Sequence, residues 1–249
     1  MKVALVQFAP AFKEVDANLR KIVGFVQEAA KNGAKLIVLP ELCTTGYSFM
    51  SKQEAAAVAE PIPTGRTFQG MKALAERLNV HIVWGQVEVD PRTFNLYNAQ
   101  VLVTPAPNAW VSYQKVNPWG NDWLWCTEGR ANPPILSCNF GEDGIKKVGL
   151  LICRDVRDKR DDKWSDFYES GDADLVAFSS NWGNGGFPSL AWIDFVKDNK
   201  ITLLVSNRYG KESHNDFGQG GICAITPDPF KIQCDGLVWD RDCIVYAEV

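Results

Sequence analysis

The sequence predicts an α/β protein in which one domain contains two mixed β-sheets covered by helices. Short apolar runs, long enough for buried strands, alternate with segments of helical periodicity once in each half of the chain. Segments with the alternating pattern of antiparallel strands lie between the two halves and after the second one. The 249 residues include no linker, low-complexity segment or tandem repeat, so we expect a single domain over residues 1–249.

The first half is predicted to contain five strands and two helices. Apolar residues at helical spacing follow Asp16, which we expect to cap the first helix, and Asn32-Gly33 should end it. Two alternating segments flank a turn at residues 105–108 and should pair antiparallel. In chain order we expect a strand at 2–8, a helix at 16–32, a strand at 36–39, a helix at 68–78 and strands at 81–89, 96–104 and 110–115.

The second half repeats the alternation and then closes with antiparallel strands. An aromatic loop at residues 118–129 precedes it. Pro188 is expected to begin a helix, because proline suits the first helical position. In chain order we expect strands at 134–138 and 146–152, a helix at 162–170, a strand at 175–179, the helix that starts at 188, and strands at 201–206, 220–226, 231–234 and 243–249.

The composition, with 46% apolar and 22% charged residues, is that of an ordinary globular protein. A net charge of −4 and the lack of any basic run give no sign of nucleic-acid or anionic-membrane binding. The apolar stretch at the N-terminus is too short for a signal peptide, and no apolar run approaches membrane-spanning length. We therefore expect a cytoplasmic protein.

The chain has seven cysteines and two histidines. No two cysteines form a C-x-x-C pair, so zinc and thioredoxin-type sites are disfavoured and the thiols are expected to be reduced. His81 lies in an apolar run, where a hydrogen-bonded buried imidazole is the expected role. His214 lies in a polar loop, and its pairing with a cysteine stays open. So few histidines argue against a His-rich metal centre.

Cys153 lies where a charged segment follows the apolar run at residues 148–152. Such a run is long enough for a strand buried on both faces and too short for a helix. A thiol at the mouth of a buried strand is placed like a nucleophile. The alternative is a small buried apolar side chain, which is the usual role of a free cysteine.

Two further reactive residues follow predicted strands. Glu41 comes after the strand at 36–39 and is either a surface acid or a sheltered carboxylate whose raised pKa makes it a base near neutral pH. Lys115 ends the strand at 110–115 and is either solvated or aimed at negative charge on a substrate oxygen. Because ligand sites in α/β sheets gather at the carboxyl ends of strands, Glu41, Lys115 and Cys153 should lie together.

Five segments, taken in order, resemble the carbon–nitrogen hydrolases of the nitrilase superfamily. The resemblance runs from residue 2 to about residue 248 and so covers nearly the whole chain. The segments are Leu39-Pro40-Glu41-Leu42 with Gly46-Tyr47, Tyr113-Gln114-Lys115-Val116, residues 149–157 around Cys153, Ser179-Ser180-Asn181-Trp182, and Ser206-Asn207-Arg208-Tyr209-Gly210.

The resemblance implies a four-layer αββα sandwich and a Glu-Lys-Cys triad. Matched by motif, Glu41 is the general base, Lys115 is the partner of the oxyanion, and Cys153 is the nucleophile that forms a thioester. The resemblance also implies that the protein uses no metal or organic cofactor and that it assembles as a homodimer or a larger homo-oligomer.

One position departs from the family pattern. Many members carry a second glutamate in the loop after the lysine, seven residues before a glycine. Counted back from Gly129, the matching residue is Asp122. We take Asp122 as the fourth catalytic residue and keep Glu128 as the alternative acid.

Substrate contacts are predicted mainly from aromatic residues, because aromatic walls with few polar groups are usual in small-molecule pockets. Trp182 is favoured because it follows the strand at 175–179, whereas Trp123 and Trp125 are equally suited to core packing. No single arginine can be assigned to a substrate carboxylate from the sequence: Arg157 matches a family arginine that often supports structure, and Arg154 is a free alternative. The predicted substrate-binding residues are Tyr47, Trp119, Arg154, Asn181 and Trp182.

The sequence therefore predicts an enzyme that hydrolyses a non-peptide C–N bond of a small carboxamide or N-carbamoyl compound, through a thioester at Cys153. The same residues would serve a nitrilase that converts a small nitrile to acid and ammonia. A binding protein that keeps the fold without catalysis is the third possibility, and Asp122 is the only feature that favours it. In each case the expected partner is a small molecule rather than nucleic acid or a membrane.

Overall fold

The structure is a computed structural model that describes residues 1–157, 172–183, 186–234 and 240–249. Within these ranges the strands form two mixed sheets of six strands each and one short two-stranded hairpin. Helices cover the outer faces of both sheets. The predicted α/β class is therefore confirmed.

The first sheet contains strands from the first half of the chain and the last strand. These strands are β1 (Lys2–Gln7), β2 (Leu36–Val38), β3 (His81–Val89), β4 (Leu96–Val103), β5 (Trp110–Gln114) and β14 (Cys243–Glu248). Their order is β14-β1-β2-β3-β4-β5, in which β1, β2 and β3 are parallel and the other pairs are antiparallel. The carboxyl ends of the parallel strands therefore meet at one edge.

The second sheet has the same mixed arrangement. Its strands are β6 (Ile135–Asn139), β7 (Ile145–Ile152), β8 (Leu175–Ser179), β9 (Thr202–Ser206), β12 (Cys223–Pro227) and β13 (Phe230–Gln233). Their order is β13-β12-β9-β8-β7-β6, with β7, β8 and β9 parallel at the centre. The separate hairpin joins β10 (Lys211–Glu212) to β11 (Asn215–Asp216).

The helices of the described ranges are α1 (Val15–Lys31), α2 (Lys52–Ala56), α3 (Arg66–Leu78) and α4 (Leu190–Asn199). Helices α1 and α3 place Ile22 and Leu74 on the outer face of the first sheet, and α4 places Trp192 on the outer face of the second. Side chains from the two inner faces, such as Leu5 and Leu150, pack together between the sheets. This layering is the αββα sandwich, whereas the single-domain assignment stays a prediction.

Buried hydrogen bonds between the sheets supplement this apolar core. Gln100 Nε2 in β4 donates to Ser179 Oγ at 2.8 Å, and Ser179 Oγ donates to the carbonyl oxygen of Leu39 at 2.7 Å. Ser206 Oγ at the end of β9 donates to the carbonyl oxygen of Val6 at 2.5 Å. Because buried polar groups need partners, these bonds fix how the strand ends of one sheet face those of the other.

Three predicted helix starts are wrong by one or two residues. Helix α1 begins with Glu14 as its N-cap, and Asp16 lies inside the first turn, where it pairs with Arg66 at 2.8 Å. Helix α3 begins at Arg66 instead of residue 68. Helix α4 begins after Ser189, whose extended backbone is the N-cap, so Pro188 precedes the helix instead of starting it. Helix ends depend on local backbone geometry more than on periodicity, which explains these differences.

Five short elements of the described ranges were not predicted: helix α2, the hairpin of β10 and β11, and the 3₁₀ turns Gly120–Leu124, Gly141–Asp143 and Cys153–Arg157. Elements of five residues or fewer are too short to show a hydrophobic period. The helix expected at 162–170 lies outside the described residues. None of the helices in the described ranges combines the length and the apolar character needed to cross a membrane.

Candidate active site

Glu41 lies in the loop after β2, and this loop packs directly on strand β3. The backbone N–H and the hydroxyl of Thr44 both donate to the carbonyl oxygen of Gly85, at 3.4 and 3.3 Å. A Cβ atom on Gly85 would lie only 2.3 Å from the backbone nitrogen of Leu42. Glycine at this position therefore allows the close approach that places Glu41.

The Glu41 carboxylate is 1% exposed and accepts hydrogen bonds from three donors. Asn98 Nδ2 in β4 and Lys115 Nζ each donate to Oε1 at 2.7 Å. The backbone N–H of Asn181, directly beyond β8, donates to Oε2 at 2.9 Å. Donors from both sheets therefore fix the orientation of the carboxylate, since bonds to a charged acceptor are short and strong.

The Lys115 ammonium follows β5 and is buried between two carboxylates. Its Nζ atom lies 2.7 Å from Glu41 Oε1 and 2.7 Å from Asp122 Oδ2. Burial alone would lower the pKa of Lys115, but Asp122 and Glu41 outweigh it and hold that pKa well above its usual value. Since an ammonium has three N–H donors, one donor remains for a substrate oxygen.

The backbone of Lys115 is held on both sides. Its N–H donates to the carbonyl oxygen of Asn98 at 2.8 Å, and its carbonyl oxygen accepts from Gly129 N–H at 2.9 Å. A Cβ atom on Gly129 would lie 2.1 Å from the carbonyl oxygen of Gln114. Gly129 is thus required for a close backbone contact, which is a physical reason for a glycine at this spacing.

Asp122 lies in the 3₁₀ turn after β5 and contacts Lys115. Its side chain is fully buried, and Oδ2 accepts from Lys115 Nζ at 2.7 Å and from Trp119 N–H at 3.1 Å. Asn98 Nδ2 lies 3.4 Å from Oδ1. Glu128 is exposed to solvent. Asp122, and not Glu128, is therefore the acid that pairs with Lys115 in this structure.

Cys153 begins a 3₁₀ turn directly after β7, with a left-handed backbone (φ 45°). Such a conformation is uncommon for a non-glycine residue and recurs at functional sites. Burial raises the pKa of the Cys153 thiol to about 12; Glu41 adds to this rise, while Lys115, the Asn181 N–H and the Ser180 hydroxyl oppose it. The side chain at rest is therefore a thiol that lies within electrostatic reach of Glu41 and Lys115.

Asp155 connects the turn of Cys153 to the segment that carries Lys115. Its Oδ2 accepts from the Tyr113 hydroxyl and its Oδ1 from Asn117 N–H, each at 2.9 Å. Removal from water raises the pKa of Asp155 to about 7, although Lys115 and both hydrogen bonds oppose the rise. Sequence analysis did not predict this role, because a single aspartate after a cysteine gives no sign of its distant partners.

A second buried ion pair supports the loop of Tyr47. Arg208 Nη1 donates to Glu212 Oε2 at 2.7 Å, and Glu212 Oε1 accepts the N–H groups of Tyr47 and Ser48, each at 2.7 Å. The Tyr47 hydroxyl donates to the carbonyl oxygen of Trp119. Glu212 could not be predicted from the sequence, because the ion-pair rule for a spacing of four residues applies to helices and Arg208 and Glu212 lie in a loop and the short strand β10.

A sequence profile of the carbon–nitrogen hydrolase family matches residues 2–161. The chain belongs to the carbon–nitrogen hydrolase family. It is 32% identical over 219 residues to a nitrilase from Pyrococcus abyssi, an alignment that covers 85% of this chain and 76% of the relative. The ordered motifs around Glu41, Lys115 and Cys153 therefore reflect membership of the nitrilase superfamily.

Solved structures of this superfamily share the fold. A cysteine-to-serine mutant of an amidase from Nesterenkonia aligns with a TM-score of 0.81 at 22% sequence identity, covering 100% of this chain and 91% of that one. The same amidase has been solved as a cysteine-to-alanine mutant in complex with butyramide, with a TM-score of 0.79. At an identity of 21–22%, these structures show that the fold is shared and nothing about the substrate.

The predicted substrate-binding residues divide into two groups. Trp119 and Asn181 belong to the first group, because their backbone N–H groups bond Asp122 and Glu41 of the Glu41–Lys115–Asp122 cluster. Tyr47 also belongs to it, because its hydroxyl bonds the carbonyl oxygen of Trp119. The ring of Trp182 instead packs on Trp192 of α4, with centroids 5.5 Å apart. Arg154 extends over the ring of Trp119, with its guanidinium carbon 4.0 Å from the ring centroid.

The remaining tryptophans and the histidines lie apart from the cluster. Trp125 is buried against Phe49, and Trp123 is 61% exposed. His81 is buried in β3 and bonds the carbonyl oxygen of Lys35 at 3.2 Å, while burial lowers its pKa to about 4. His214 in the hairpin loop lies 2.8 Å from Asn121 Nδ2. In the part of the chain that the structure describes, no group of three or more His, Cys, Asp and Glu side chains is arranged to hold a metal.

Replacing Gly85 by alanine should displace the loop of Glu41, because the new Cβ would overlap Leu42. We expect kcat for hydrolysis to fall by roughly tenfold to a hundredfold, because a small misplacement of a catalytic group has an effect of this size. Gly24→Ala is the matched control, since a Cβ there meets no atom within 4 Å. Steady-state kinetics and thermal melting test this, and wild-type kcat in Gly85→Ala would contradict it.

Replacing Asp122 by asparagine should remove one of the two charges that hold the Lys115 ammonium. We expect a loss of about 1.5–3 kcal/mol in the free energy of unfolding, the usual contribution of a hydrogen bond to a charged group, together with reduced hydrolysis. Asp122→Glu, which restores the family residue, should retain most of both. Denaturant unfolding and steady-state kinetics of the two variants test this prediction. If Asp122→Asn and Asp122→Glu change stability and hydrolysis equally, the negative charge at this position is unimportant.

Proposed function

We propose that this protein is an amidase that hydrolyses the C–N bond of a small carboxamide through a cysteine thioester. The observation that carries the proposal is the buried Glu41–Lys115 ion pair beside the Cys153 thiol. A base, a fixed ammonium and a nucleophile within electrostatic reach of one another are the three groups that acyl transfer needs. Assembly as a homodimer or larger homo-oligomer stays a prediction from the family.

In the first step, Glu41 takes the proton of the Cys153 thiol while the sulfur attacks the carbonyl carbon. Lys115 Nζ and the backbone N–H of Arg154 hold the oxygen that becomes negative, and each such donor contributes about 3 kcal/mol, roughly a hundredfold in rate. Glu41 then gives the proton to the leaving nitrogen as the C–N bond breaks. Ammonia or an amine departs and a thioester remains on Cys153.

In the second step, water replaces the leaving group. Glu41 removes a proton from the water molecule, and the resulting hydroxide attacks the thioester carbon while Lys115 again holds the oxyanion. The C–S bond breaks, the acid is released, and the sulfur recovers the proton from Glu41. Because the pKa of the Cys153 thiol is raised, the enzyme returns to the neutral thiol at physiological pH.

The side chain of Asn181 favours an amide substrate over a nitrile. In the described part of the chain neither Nδ2 nor Oδ1 of this buried residue has a hydrogen-bond partner, although its backbone N–H contacts Glu41. A buried donor and acceptor left unpaired are costly. A carboxamide supplies both an acceptor and a donor, whereas a nitrile nitrogen only accepts, so a carboxamide satisfies Asn181 completely.

Replacing Cys153 by alanine should abolish amide hydrolysis, lowering kcat by roughly a thousandfold or more, because the covalent step is lost. Cys126→Ala is the control, since Cys126 is another partly buried thiol in the neighbourhood of Asp122. Intact-mass analysis of the wild type after exposure to an amide and nitrile library should show an acyl adduct on Cys153. Hydrolysis that continues at the wild-type rate in Cys153→Ala would exclude the proposed mechanism.

Covalent labelling of Cys153 distinguishes the proposed enzyme from the alternative, a binding protein without catalytic activity. A reagent that reacts only with thiolates is unsuitable, because the raised pKa keeps Cys153 protonated. A substrate-like acylating reagent, which uses Glu41 as the base, is the better choice. Selective acylation of Cys153 among the seven cysteines supports the enzyme, and an unreactive Cys153 supports the binding protein.

Replacing Asn181 by alanine should reduce amide hydrolysis more than nitrile hydrolysis. The loss of one or two hydrogen bonds corresponds to about tenfold in kcat/KM. Butyramide and butyronitrile are a suitable pair because they share an acyl chain, and the ratio of acid to amide produced from the nitrile measures nitrilase activity directly. Faster turnover of the nitrile by the wild type, with no selective effect of Asn181→Ala, would favour the nitrilase alternative.

A further inference from the structure

We infer that Arg154, stacked on the ring of Trp119, binds a carboxylate group of the substrate. The inference rests on the proposed function and narrows it to small amides that carry an acid group at the end away from the scissile bond. Such a residue would determine specificity without taking part in bond cleavage. It follows from the position of Arg154 over Trp119, the lack of a carboxylate partner for Arg154 among the described residues, and the charge of the buried cluster.

Both residues of the stacked pair are connected to the catalytic cluster, Arg154 through the chain and Trp119 through a hydrogen bond. Arg154 directly follows Cys153, and its guanidinium carbon lies 4.0 Å from the centroid of the Trp119 ring. Trp119 donates its backbone N–H to Asp122 at 3.1 Å and accepts the hydroxyl of Tyr47 at its carbonyl oxygen. The ring is 54% exposed. The pair therefore lies on the solvent side of the cluster, within one residue of the nucleophile.

Arg154 has no ion-pair partner within residues 1–157, 172–183, 186–234 and 240–249. In those ranges Arg66, Arg92 and Arg208 pair with carboxylates, whereas Arg157, like Arg154, has no ion pair there. A guanidinium stacked face-on to an aromatic ring keeps its in-plane N–H groups available, and their fork matches a carboxylate in two parallel hydrogen bonds. Arg154 therefore presents a preorganised receptor for a carboxylate.

The charge of the cluster decides where an acid group can bind. Glu41 and Asp122 place two negative charges around the single ammonium of Lys115, so this cluster repels a further anion. The amide end of the substrate is neutral and is accepted there. A carboxylate at the opposite end is stabilised at Arg154, so the two ends of the substrate are distinguished by charge and the amide is directed to Cys153.

Arg157 forms a similar stack and provides a comparison within the same turn. Its guanidinium carbon lies 4.4 Å from the centroid of the Trp182 ring, which packs on Trp192 of α4. The Trp182 ring packs against the outer apolar layer and also against the core between the sheets, whereas the Trp119 ring is 54% exposed and the Trp119 backbone N–H bonds Asp122 directly. Carboxylate binding is therefore assigned to Arg154 rather than Arg157.

The test compares monoamides of dicarboxylic acids, in a series of increasing length, with the neutral methyl esters of the same monoamides. The wild type should prefer an acid by about tenfold or more in kcat/KM, and Arg154→Gln should bring the ratio of acid to ester kcat/KM close to one, mainly by raising KM for the acids. Arg154→Lys should keep part of the preference, because it retains the charge but not the fork. Added salt should raise KM for the acids only.

Three results would overturn the inference. Arg154→Gln could impair acids and esters equally, which would indicate a structural role. The wild type could prefer the esters. Arg157→Gln could abolish the preference for acids more strongly than Arg154→Gln, which would assign the carboxylate to Arg157.

A binding measurement separates this inference from the proposed function. In Cys153→Ala, calorimetric titration with a monoamide acid should show binding that is lost when Arg154→Gln is added. If the wild type hydrolyses no amide but this pattern holds, the proposed function fails and the carboxylate site stands. If amides are hydrolysed but binding of the acid is unaffected by Arg154→Gln, the carboxylate site fails and the amidase stands.

Discussion

The rest of the site depends on the two buried ion pairs of Lys115. Its ammonium lies between Glu41 and Asp122, at 2.7 Å from each carboxylate. Removing such charges from water costs several kcal/mol per ion unless short contacts and further hydrogen bonds offset it. Asn98 and the backbone of Asn181 supply those bonds. The loops after β2, β5 and β8 must therefore meet, because none of them satisfies its polar groups alone.

The same cluster influences the protonation of Cys153, the proposed nucleophile. Burial and the nearby Glu41 carboxylate raise the pKa of the Cys153 thiol, so the proposed mechanism requires proton removal and attack on the substrate to occur together. The position of Glu41 is then decisive, and it depends on groups outside the cluster. Gly85 lets the loop of Glu41 approach strand β3, and Asp155 ties the turn of Cys153 to the segment of Lys115.

Most of the fold could be predicted because buried strands and amphipathic helices leave periodic patterns in the sequence. The strands His81–Val89 and Leu175–Ser179 were predicted with the bounds that the structure shows. The α2 helix and the β10–β11 hairpin were missed because they are too short for a period. The first helix cap was placed at Asp16 instead of Glu14, since the cap is set by backbone geometry that the residue pattern does not contain.

Which reactive residues stand at strand ends could be predicted from the sequence: Glu41, Lys115 and Cys153 each come at the end of a predicted strand, and ligand sites in α/β sheets gather at such ends. Their partners, their burial and the protonation of the thiol became visible only in the folded chain. Glu212 holds the backbone of Tyr47 across 165 positions of the chain, and no local pattern records such a bond. Hydrogen bonds and desolvation depend on which segments pack together in space. The periodicity of one segment carries no information about the distant segment that packs against it.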